Sequence, residues 1–473
     1  MTKIAQQAEG FAKPARNAMD LRTWLSHLEQ TGRLAIARHG VDLRFELAGV
    51  ANRCDGNKAT LFPAPSGARF SVISGLLSQR AWMAEALGLD EAEMLRVFQH
   101  ACAEPLAPNL VQDGPCQENV QDGEFDIREL LPIPTHNEHD SGAYITAGVL
   151  ICKNPRTGVQ NLSIHRLQVS GPRELGALLL PRHTLAFFAE AEKTGADLDV
   201  AIAVGLSPAC LLASQAIVPL DFDEIGVAGH LSGRPIDVVK CLGSEILVPT
   251  DTEVVIEGKL LNGARAPEGP FGEFPQYYGE RADRHVIRID RVTHRTNALF
   301  HTIVGGGLEH LLLGGIPREA TILSTLRRNF PNVQDVHLAH GGVCRYHLYV
   351  QIDGAQPGGA KNVILGAMAA HYDIKHVVVV DSDVNIHNPE MVEWAVATRF
   401  QADRDLIVVP DCQGSKLDPS TNDGVGAKMG FDATVPAGAD PFRFKRIAVP
   451  GQEDINLDAI FQPTTGLADI LGE

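Results

Sequence analysis

Two short charged segments hold the side chains best suited to acid–base chemistry. Glu268 and Glu273 are the ends of the segment EGPFGE, and Arg166 ends the earlier segment NLSIHR. Glycine and proline between the two acids predict a tight turn that aims both carboxylates at one point. Two neighbouring carboxylates do not both ionise freely, so one gains a raised pKa and can donate a proton near neutral pH, while an arginine stabilises the other. The segments predict a site with an acid, a base and a fixed cation.

A turn whose acids face solvent is the alternative explanation of the same spacing. It is weakened by apolar residues on both sides of the acids, which would take the carboxylates out of water. These residues are Pro267, Pro270, Phe271 and Phe274.

Asn161, His183 and Glu224 form a second set with chemical potential. An amide oxygen, an imidazole nitrogen and a carboxylate can surround a divalent cation and leave positions for water or a phosphate. Sequence spacing does not show that they converge, and each one alone is more often structural or exposed. The metal site is therefore a hypothesis that needs support from the rest of the chain.

Glycine-rich segments supply the remaining candidates. The glycines at 305–307 and at 314–315 do not match a nucleotide-binding fingerprint. They suit a hinge or a close approach of two backbone segments instead. His301 and His310 flank this region and could line a pocket, although lone histidines are usually structural. Lys428, in GAKMGFDAT, could contact a phosphate or a substrate carboxylate; an ordinary surface loop explains it equally well.

Composition limits the class of protein. The 473 residues are 44% hydrophobic and 21% charged, as in a globular chain of two or three domains. Lysine plus arginine is 41 and aspartate plus glutamate is 58, and the net charge of −17 disfavours nucleic acid and anionic membranes as partners. The N-terminus lacks a signal-type apolar segment, no apolar run approaches about 18 residues, and the eight scattered cysteines suit reduced thiols. We expect a soluble cytoplasmic protein.

Changes in sequence pattern divide the chain into five stretches. Residues 1–115 mix helical periodicity with a strand and predict an N-terminal α/β segment. Residues 116–316 hold short β-branched runs between turn-forming residues, which favours a sheet or barrel. A linking helix is predicted over 317–330, an α/β domain over 331–450 and a weakly patterned tail over 451–473. Both charged segments lie in the second stretch, so we expect the chemistry there.

Several ordered segments together resemble the UbiD family of prenylated-flavin decarboxylases. The segments that carry the resemblance are LPIPTHNEHDSGAYITAG from Leu131, NPRTG from Asn154, NLSIHR from Asn161, FDEIGVAG from Phe222, EGPFGE from Glu268 and GAKMGFDAT from Gly426. They follow the family's usual order and extend over most of the chain, from about Asp20 to Thr434. Several ordered motifs over this length are more specific than any one of them.

The resemblance implies a split β-barrel flavin-binding domain, a linking helix and a C-terminal oligomerisation domain, and hence a homodimer or higher homo-oligomer. It also implies prenylated FMN as cofactor, supplied by a partner flavin prenyltransferase and bound through Mn²⁺ (or Mg²⁺) and K⁺. Asn161, His183 and Glu224 match the family's divalent-metal ligands, which also hold the cofactor phosphate. Leu162, Ala213, Ser214, Ala216 and Glu224 match the potassium-binding segments. Ser163, Ile164, His165, Arg166, Arg182 and Lys428 join the three metal ligands at positions that match cofactor-binding segments.

Arg166, Glu268 and Glu273 match the family's catalytic Arg–Glu–Glu network. The implied activity is reversible non-oxidative decarboxylation of an aromatic or heteroaromatic acid, releasing CO₂ through a covalent adduct with prenylated FMN. We expect Glu273 to protonate the carbon that loses CO₂, with Arg166 and Glu268 setting its pKa. Closure of two domains about residues 305–315 is expected to remove water from the site.

Substrate identity is the least determined expectation. The family spans acrylic acids, phenolic benzoates and heteroaromatic acids such as furan, pyrrole and indole carboxylates, and a pocket near His301 and His310 favours a heteroaromatic or hydroxylated ring. A phenolic or acrylic acid is the alternative substrate. Another FMN enzyme on a similar fold and a non-catalytic homologue are the alternative classes; residues matching all three metal positions and all three catalytic positions argue against both.

Overall fold

The computed structural model describes residues 18–354, 356–440, 442–461 and 466–472. Most of the N-terminal segment examined for an export signal, and part of the predicted tail, lie outside these ranges. Within them, no helix combines the length and the apolar character needed to cross a membrane.

The N-terminal stretch is the predicted mixture of helices and strands. Its helices are α1 Leu21–Gln30, α2 Glu46–Cys54, α3 Arg80–Ala86 and α4 Met94–Ala103, and its strands are β1 Leu34–Ile36, β2 Ala59–Phe62 and β3 Ser71–Ser74. Asp20 caps α1 by accepting the Thr23 N–H at 2.8 Å, and Trp24 and Leu28 bury its apolar face. Within the helical periodicity of residues 1–115, the stretch 78–100 forms two helices, because Gly88 adopts a positive φ that ends α3.

The central stretch is dominated by strands, as predicted. Its strands are β4 Asn109–Val111, β5 Asn119–Gln121, β6 Tyr144–Ile145, β7 Val149–Lys153, β8 Gln160–Ile164, β9 Leu167–Gly171, β10 Glu174–Ala177, β11 Leu198–Val204, β12 Asp237–Lys240, β13 Leu247–Pro249, β14 Val254–Glu268, β15 Phe271–Gly272, β16 Tyr278–Gly279, β17 Ala282–His294 and β18 Leu299–His301. Its helices are α5 Ile127–Leu130, α6 His183–Lys193, α7 Pro208–Ala213 and α8 Glu224–Ser232.

Nine of these strands form one antiparallel sheet in the order β6-β9-β10-β17-β14-β11-β7-β8, with β5 added on β17. Successive residues of β11 alternate between two apolar cores: Ala201 and Ala203 pack into one, and Val200 and Ile202 pack into the other. Both faces are therefore covered, which explains the nearly continuous apolar sequence. The end strands β6 and β8 do not pair with each other, so the described strands close no barrel, and the split-barrel form stays a prediction.

The C-terminal stretch begins with a long helix. The helices are α9 Leu308–Asn329, α10 Gly359–Ala370, α11 Pro389–Arg399, α12 Ala402–Asp405, α13 Leu457–Ile460 and α14 Leu467–Leu471. The strands are β19 Val333–Leu338, β20 His347–Ile352, β21 His376–Asp381, β22 Leu406–Gln413 and β23 Val425–Asp432, in the sheet order β19-β20-β21-β23-β22. The linking helix thus starts at Leu308 rather than at 317, and the glycines at 314–315 lie inside it rather than in a loop.

Contacts with the N-terminal stretch hold the start of α9. Asp55 accepts the Leu308 N–H at 2.6 Å, and Glu309 accepts the N–H groups of Gly75 and Leu77 at 2.9 and 3.1 Å. Strand β18, which directly precedes α9, pairs in parallel with β3 and completes the N-terminal sheet. His301, on that strand, is fully buried with Nε2 3.3 Å from Glu309 Oε1, and its place beside a substrate pocket stays a prediction.

Candidate active site

Arg166 lies between two carboxylates contributed by the turn that follows β14. It occupies the link between β8 and β9, Glu268 ends β14, and Glu273 follows β15. Arg166 Nη2 donates to Glu268 Oε2 at 2.7 Å, and Nη1 donates to Glu273 Oε1. Glu268 is fully buried, and the side chains of Arg166 and Glu273 are only 8% and 11% exposed. The structure therefore brings the three residues together in a nearly dry site.

Burial makes Glu273 a better proton carrier than an ordinary glutamate. Removal from water raises its pKa, and the attraction and hydrogen bond of Arg166 oppose this without cancelling it. Burial alone would lower the pKa of Arg166, but Glu273 and Glu268 outweigh it and raise that pKa. The cation is therefore permanent, and the proton that can move belongs to Glu273.

Tyr144 and Phe271 complete the walls of this cluster. The Tyr144 hydroxyl lies 3.1 Å from Glu268 Oε1 and 3.0 Å from Gln168 Oε1, and its ring centroid is 4.4 Å from that of Phe271. Phe271 also lies under the guanidinium, 5.4 Å from Arg166 Cζ. Tyr144 and Gln168 were not predicted site residues, although Tyr144 belongs to one of the segments that resemble the UbiD family. Of the predicted apolar cover, Phe271 is buried but Pro267 is exposed.

One buried donor of the cluster has no acceptor. Arg166 Nε is inaccessible to solvent and forms no hydrogen bond within the described structure. An uncompensated buried N–H is costly, and a ligand oxygen would satisfy it. The guanidinium can therefore hold an anion while its other two nitrogens hold the acids.

The predicted metal ligands also converge. His183 Nδ1 lies 3.1 Å from Asn161 Oδ1 and 3.6 Å from Glu224 Oε1, while Glu224 Oε2 accepts the Leu162 N–H at 2.8 Å. Burial raises the pKa of Glu224, and its hydrogen bonds oppose the rise. An amide oxygen, an imidazole nitrogen and a carboxylate that face one point suit a divalent cation. Among the described residues, no group of three or more His, Cys, Asp or Glu side chains is arranged to hold a metal ion. The present site has two such residues, His183 and Glu224, and its third ligand would be the amide of Asn161.

The start of α6 suits the phosphate of a cofactor. Arg182 is its N-cap residue and makes no side-chain cap hydrogen bond, so the N–H groups of the first turn lack that partner. A helix N-terminus that lies beside an arginine and a predicted metal site is a favourable position for binding a phosphate group. Ser163 links this region to β8: its hydroxyl lies 3.1 Å from Asn161 Nδ2 and 2.9 Å from His165 Nε2. Burial lowers the pKa of His165 to about 4, so this imidazole is neutral at physiological pH.

Four other predicted ligand positions make no described contact with these three residues. Ile164 packs its side chain against the core. Ala213 ends α7, Ser214 is the C-cap residue, and Ala216 follows it in the chain. Carbonyl groups at a helix C-terminus suit a cation, but no described contact joins these residues to Glu224. The potassium assignment therefore stays a prediction.

Lys428 has a structural role in the described chain. It lies on β23 rather than in a loop, and its Nζ donates to the carbonyls of Met368 and Tyr372 at 3.2 and 3.0 Å. These carbonyls are at the end of α10, so the lysine caps that helix. No described hydrogen bond or ion pair joins Lys428 to Asn161, His183 or Glu224, and the cofactor assignment for it gains no support from the geometry.

A second cluster of cations, missed in the sequence, lies where α9 meets the C-terminal sheet. Arg318 Nε is buried without a hydrogen bond, 3.8 Å from Asp373 Oδ2, and the described chain places no carboxylate at ion-pairing distance from Arg345. Burial and the charge of Arg345 lower the pKa of Arg318 to about 9. Burial and Arg318 also lower the pKa of His371 to about 3. His310 lies on α9 one turn before Gly314. Burial lowers its pKa, and the charges of Arg345 and Arg318 lower it further.

Family models match three successive parts of the chain. The N-terminal, Rift-related and C-terminal domains of 3-octaprenyl-4-hydroxybenzoate carboxy-lyase match residues 25–102, 109–308 and 311–433. The anhydromevalonate phosphate decarboxylase of Methanothermobacter thermautotrophicus is 39% identical over 378 residues, which are 80% of this chain and 88% of that protein.

Solved structures agree with these matches. The UbiD-class enzyme HmfF from Pelotomaculum thermopropionicum, in complex with FMN, is 47% identical with a TM-score of 0.92 over 94% of this chain and 100% of that one. An evolved dimeric form of HmfF, in complex with prenylated FMN (prFMN), gives a TM-score of 0.87 at 44% identity over 93% of this chain and 100% of that one. Vanillic acid decarboxylase of Sedimentibacter hydroxybenzoicus is 30% identical over 92% of this chain. Its open form gives a TM-score of 0.82 over 96% of that chain. Its closed form gives a TM-score of 0.79 over 97% of that chain.

The order of the three domains, the mixed α/β fold and the decarboxylases among the relatives lead to one conclusion. This chain belongs to the UbiD family and is a carboxy-lyase.

Proposed function

We propose that this enzyme uses prenylated FMN to decarboxylate, reversibly, an aromatic or heteroaromatic acid whose carboxylate is attached to an sp² carbon. The observation that carries the proposal is the buried cluster in which Arg166 binds Glu268 and Glu273 and in which burial raises the pKa of Glu273. HmfF with prFMN supports the cofactor, and vanillic acid decarboxylase supports an aromatic substrate.

The chain's own residues would hold the cofactor near this cluster. Asn161, His183 and Glu224 would bind Mn²⁺ or Mg²⁺, and Arg182 with the start of α6 would bind the phosphate; the end of α7 would bind K⁺. When bound, prenylated FMN supplies the electron sink that the departure of CO₂ requires. A cytoplasmic flavin prenyltransferase would deliver it.

Proton transfer is the step that the protein itself performs. The carbon–carboxylate bond breaks, the electron pair remains with the substrate, and Glu273 gives its proton to that carbon. Arg166 then stabilises the Glu273 carboxylate, while Glu268 and Tyr144 hold the guanidinium in place. Closure of the C-terminal domain over the site would keep water out, and reopening would allow Glu273 to regain a proton from solvent.

A second candidate substrate is an unsaturated acid with an additional anionic group. It is favoured by Arg318 and Arg345, two buried cations with one carboxylate 3.8 Å from Arg318, and by the phosphate-bearing substrate in the name of the Methanothermobacter relative. A buried guanidinium with a free Nε binds a carboxylate or phosphate oxygen well. The second group would then fix the orientation of the acid.

The test begins with the enzyme produced with and without a flavin prenyltransferase. We expect the absorption spectrum of prenylated FMN and CO₂ release in the first case only. The acids supplied would be a benzoate, a furoate, the dicarboxylates that match each, and a phosphorylated non-aromatic unsaturated acid. CO₂ from the last alone would contradict an aromatic substrate, and CO₂ from none would contradict the activity.

The proton donor is tested in the same assay. In D₂O the product should carry deuterium at the carbon that lost CO₂. Glu273→Gln should lower kcat by about 100-fold or more, because a general acid contributes that much, while retaining the flavin spectrum. Full decarboxylation by this variant would show that Glu273 is not the donor.

The assembly is a separate part of the proposal. We infer a homodimer or larger homo-oligomer formed through the C-terminal domain, supported by the dimeric form of HmfF. Light scattering on the purified protein gives its mass directly, and a monomer would contradict this inference.

A further inference from the structure

The ring of Phe274 joins the proposed proton donor to the rest of the molecule. We propose that Arg345, in the C-terminal domain, is a positioning residue that holds Glu273 in place by binding the ring of Phe274. This inference rests on the proposed function, in which Glu273 protonates the substrate carbon. It adds a residue from a different domain to the control of that step.

Arg345 is fixed so that its flat face meets the ring. It lies between β19 and β20, is 5% exposed, and places Cζ 5.3 Å from the centre of Phe274. Its Nη1 donates to the carbonyls of Leu311, on α9, and of Cys344 at 2.9 and 2.8 Å. In-plane hydrogen bonds of this kind leave the face of the guanidinium available for a cation–π contact, which is strongest where water is excluded.

Two further aromatic residues contact the same ring. His310, on α9, and Tyr346, beside Arg345, approach Phe274 edge to face with centroid distances of 6.4 and 5.7 Å. Such contacts add stability beyond the burial of area alone. Phe274 directly follows Glu273 in the chain, so the backbone of the proton donor is held by the linking helix and the C-terminal domain together.

The remainder of this turn packs against the end of the central domain. Glu273 donates its N–H to the Tyr277 carbonyl at 2.9 Å, and a Cβ on Gly305 would lie 2.4 Å from the Gly272 carbonyl oxygen. The close backbone approach predicted for the glycines at 305–307 is therefore confirmed. In contrast to these contacts, the Phe274 ring reaches across to the C-terminal domain.

Gly314, on α9, leaves the space that the Arg345 guanidinium occupies. A Cβ at Gly314 would lie 1.7 Å from Arg345 Nη2, so any larger residue would displace the guanidinium. Glycine inside a helix is less stable than alanine would be. This glycine is located where the Arg345 side chain crosses α9.

Movement of the C-terminal domain would make or break the contact between Arg345 and Phe274. A relative of this chain exists in open and closed forms. If the C-terminal domain of this enzyme moves in the same way, Arg345 and Tyr346 leave Phe274 when the domain opens. Glu273 would then be held in its catalytic position only while the site is closed.

The test compares Arg345→Met with Arg446→Met in the full-length enzyme. Arg446 makes an exposed cation–π contact with Trp394 at 4.6 Å in the same domain, which makes it a matched control. We expect Arg345→Met to lower kcat by about 100-fold, because a misplaced catalytic group loses that much, with KM for a monocarboxylic acid unchanged within about twofold. Arg446→Met should leave kcat unchanged.

A second readout does not depend on activity. Hydrogen exchange of the peptide spanning residues 272–278, measured without cofactor, should become about tenfold faster in Arg345→Met and remain unchanged in Arg446→Met. If Arg345→Met matches the control in both kcat and exchange, the proposal is wrong.

Phe274→Leu tests the same contact from the other side, and it keeps the proposal open to refutation if Arg345→Met does not fold. It should reproduce both the loss of kcat and the faster exchange; normal behaviour in both would overturn the proposal. Failure of the proposed function is visible separately, because Glu273→Gln would then decarboxylate at the normal rate.

Discussion

The enzyme contains two buried charged clusters with opposite balance. In the central sheet, one arginine binds two carboxylates, with Arg166 Nη2 2.7 Å from Glu268. At the junction of α9 and the C-terminal sheet, Arg318 and Arg345 have one described carboxylate nearby, which lies 3.8 Å from Arg318 Nε. The first cluster is close to electrically complete within the chain, and the second has an excess of positive charge.

Under the proposed function, this difference separates a cluster suited to chemistry from one suited to binding an anion. A cation with two acids keeps its geometry without a ligand and leaves one proton to move, as the raised pKa of Glu273 indicates. Cations without enough acids gain most when an anion arrives, because each buried charge then acquires a partner. The two clusters should therefore respond to mutation in opposite ways.

Removing the cation of the first cluster should have the largest effect. Arg166→Met leaves Glu268 and Glu273 buried without a partner, so we expect the free energy of unfolding to fall by about 3–5 kcal/mol, with decarboxylation lost. Urea unfolding followed by circular dichroism measures the change. A loss of less than about 1 kcal/mol would show that the cluster is not balanced as described.

Removing a cation from the second cluster should leave stability unchanged or increase it. Arg318→Met relieves the repulsion between Arg318 and Arg345, but we expect KM for an acid with a second anionic group to rise by about 10–100-fold. KM for the matching monocarboxylate should not change. Arg328→Met, in the last turn of the same helix and exposed, is the control. Equal effects on both acids would contradict a binding role for this cluster.

The smallest expected effect is on His371, near the second cluster, with the buried His136 of the central domain as the comparison. Burial lowers the pKa of His136 to about 4, and burial with Arg318 lowers that of His371 to about 3. Both rings are neutral in the folded protein, so the stability they contribute is complete above their ordinary pKa of about 6.5 and is lost as pH falls through the lowered values. In Arg318→Met the pKa of His371 should rise and that of His136 should not, as NMR titration of the ring protons would show. An unchanged His371 would mean that the second cluster does not act on it.

The turn that holds the two glutamates was predictable because its sequence signal is local. Glu268 and Glu273 lie within one six-residue segment, and its glycines and proline indicate a turn without any tertiary information. The metal ligands were recognisable only through family resemblance, since β8, α6 and α8 bring them together from separate parts of the sequence.

The second cluster could not be predicted, for an opposite reason. Arg318, Arg345 and His371 come from a helix, a turn and the end of another helix, and arginines at such positions are usually solvated. The glycines at 314–315 indicated a loop because glycine disfavours helices, yet Gly314 makes room for Arg345. Lys428 was misplaced for a similar reason: its glycine-rich segment forms strand β23.

The pairing of β18 with β3 makes the order of the three domains in the sequence a poor guide to how the protein can be divided. A strand from the end of the central stretch completes the N-terminal sheet, and the next helix is bound there by Asp55 and Glu309. A fragment that begins after residue 115 would expose an open sheet edge and leave the Glu309 carboxylate without its two backbone donors. Exchanging N-terminal segments between relatives should therefore succeed only when residues 299–309 are exchanged with them.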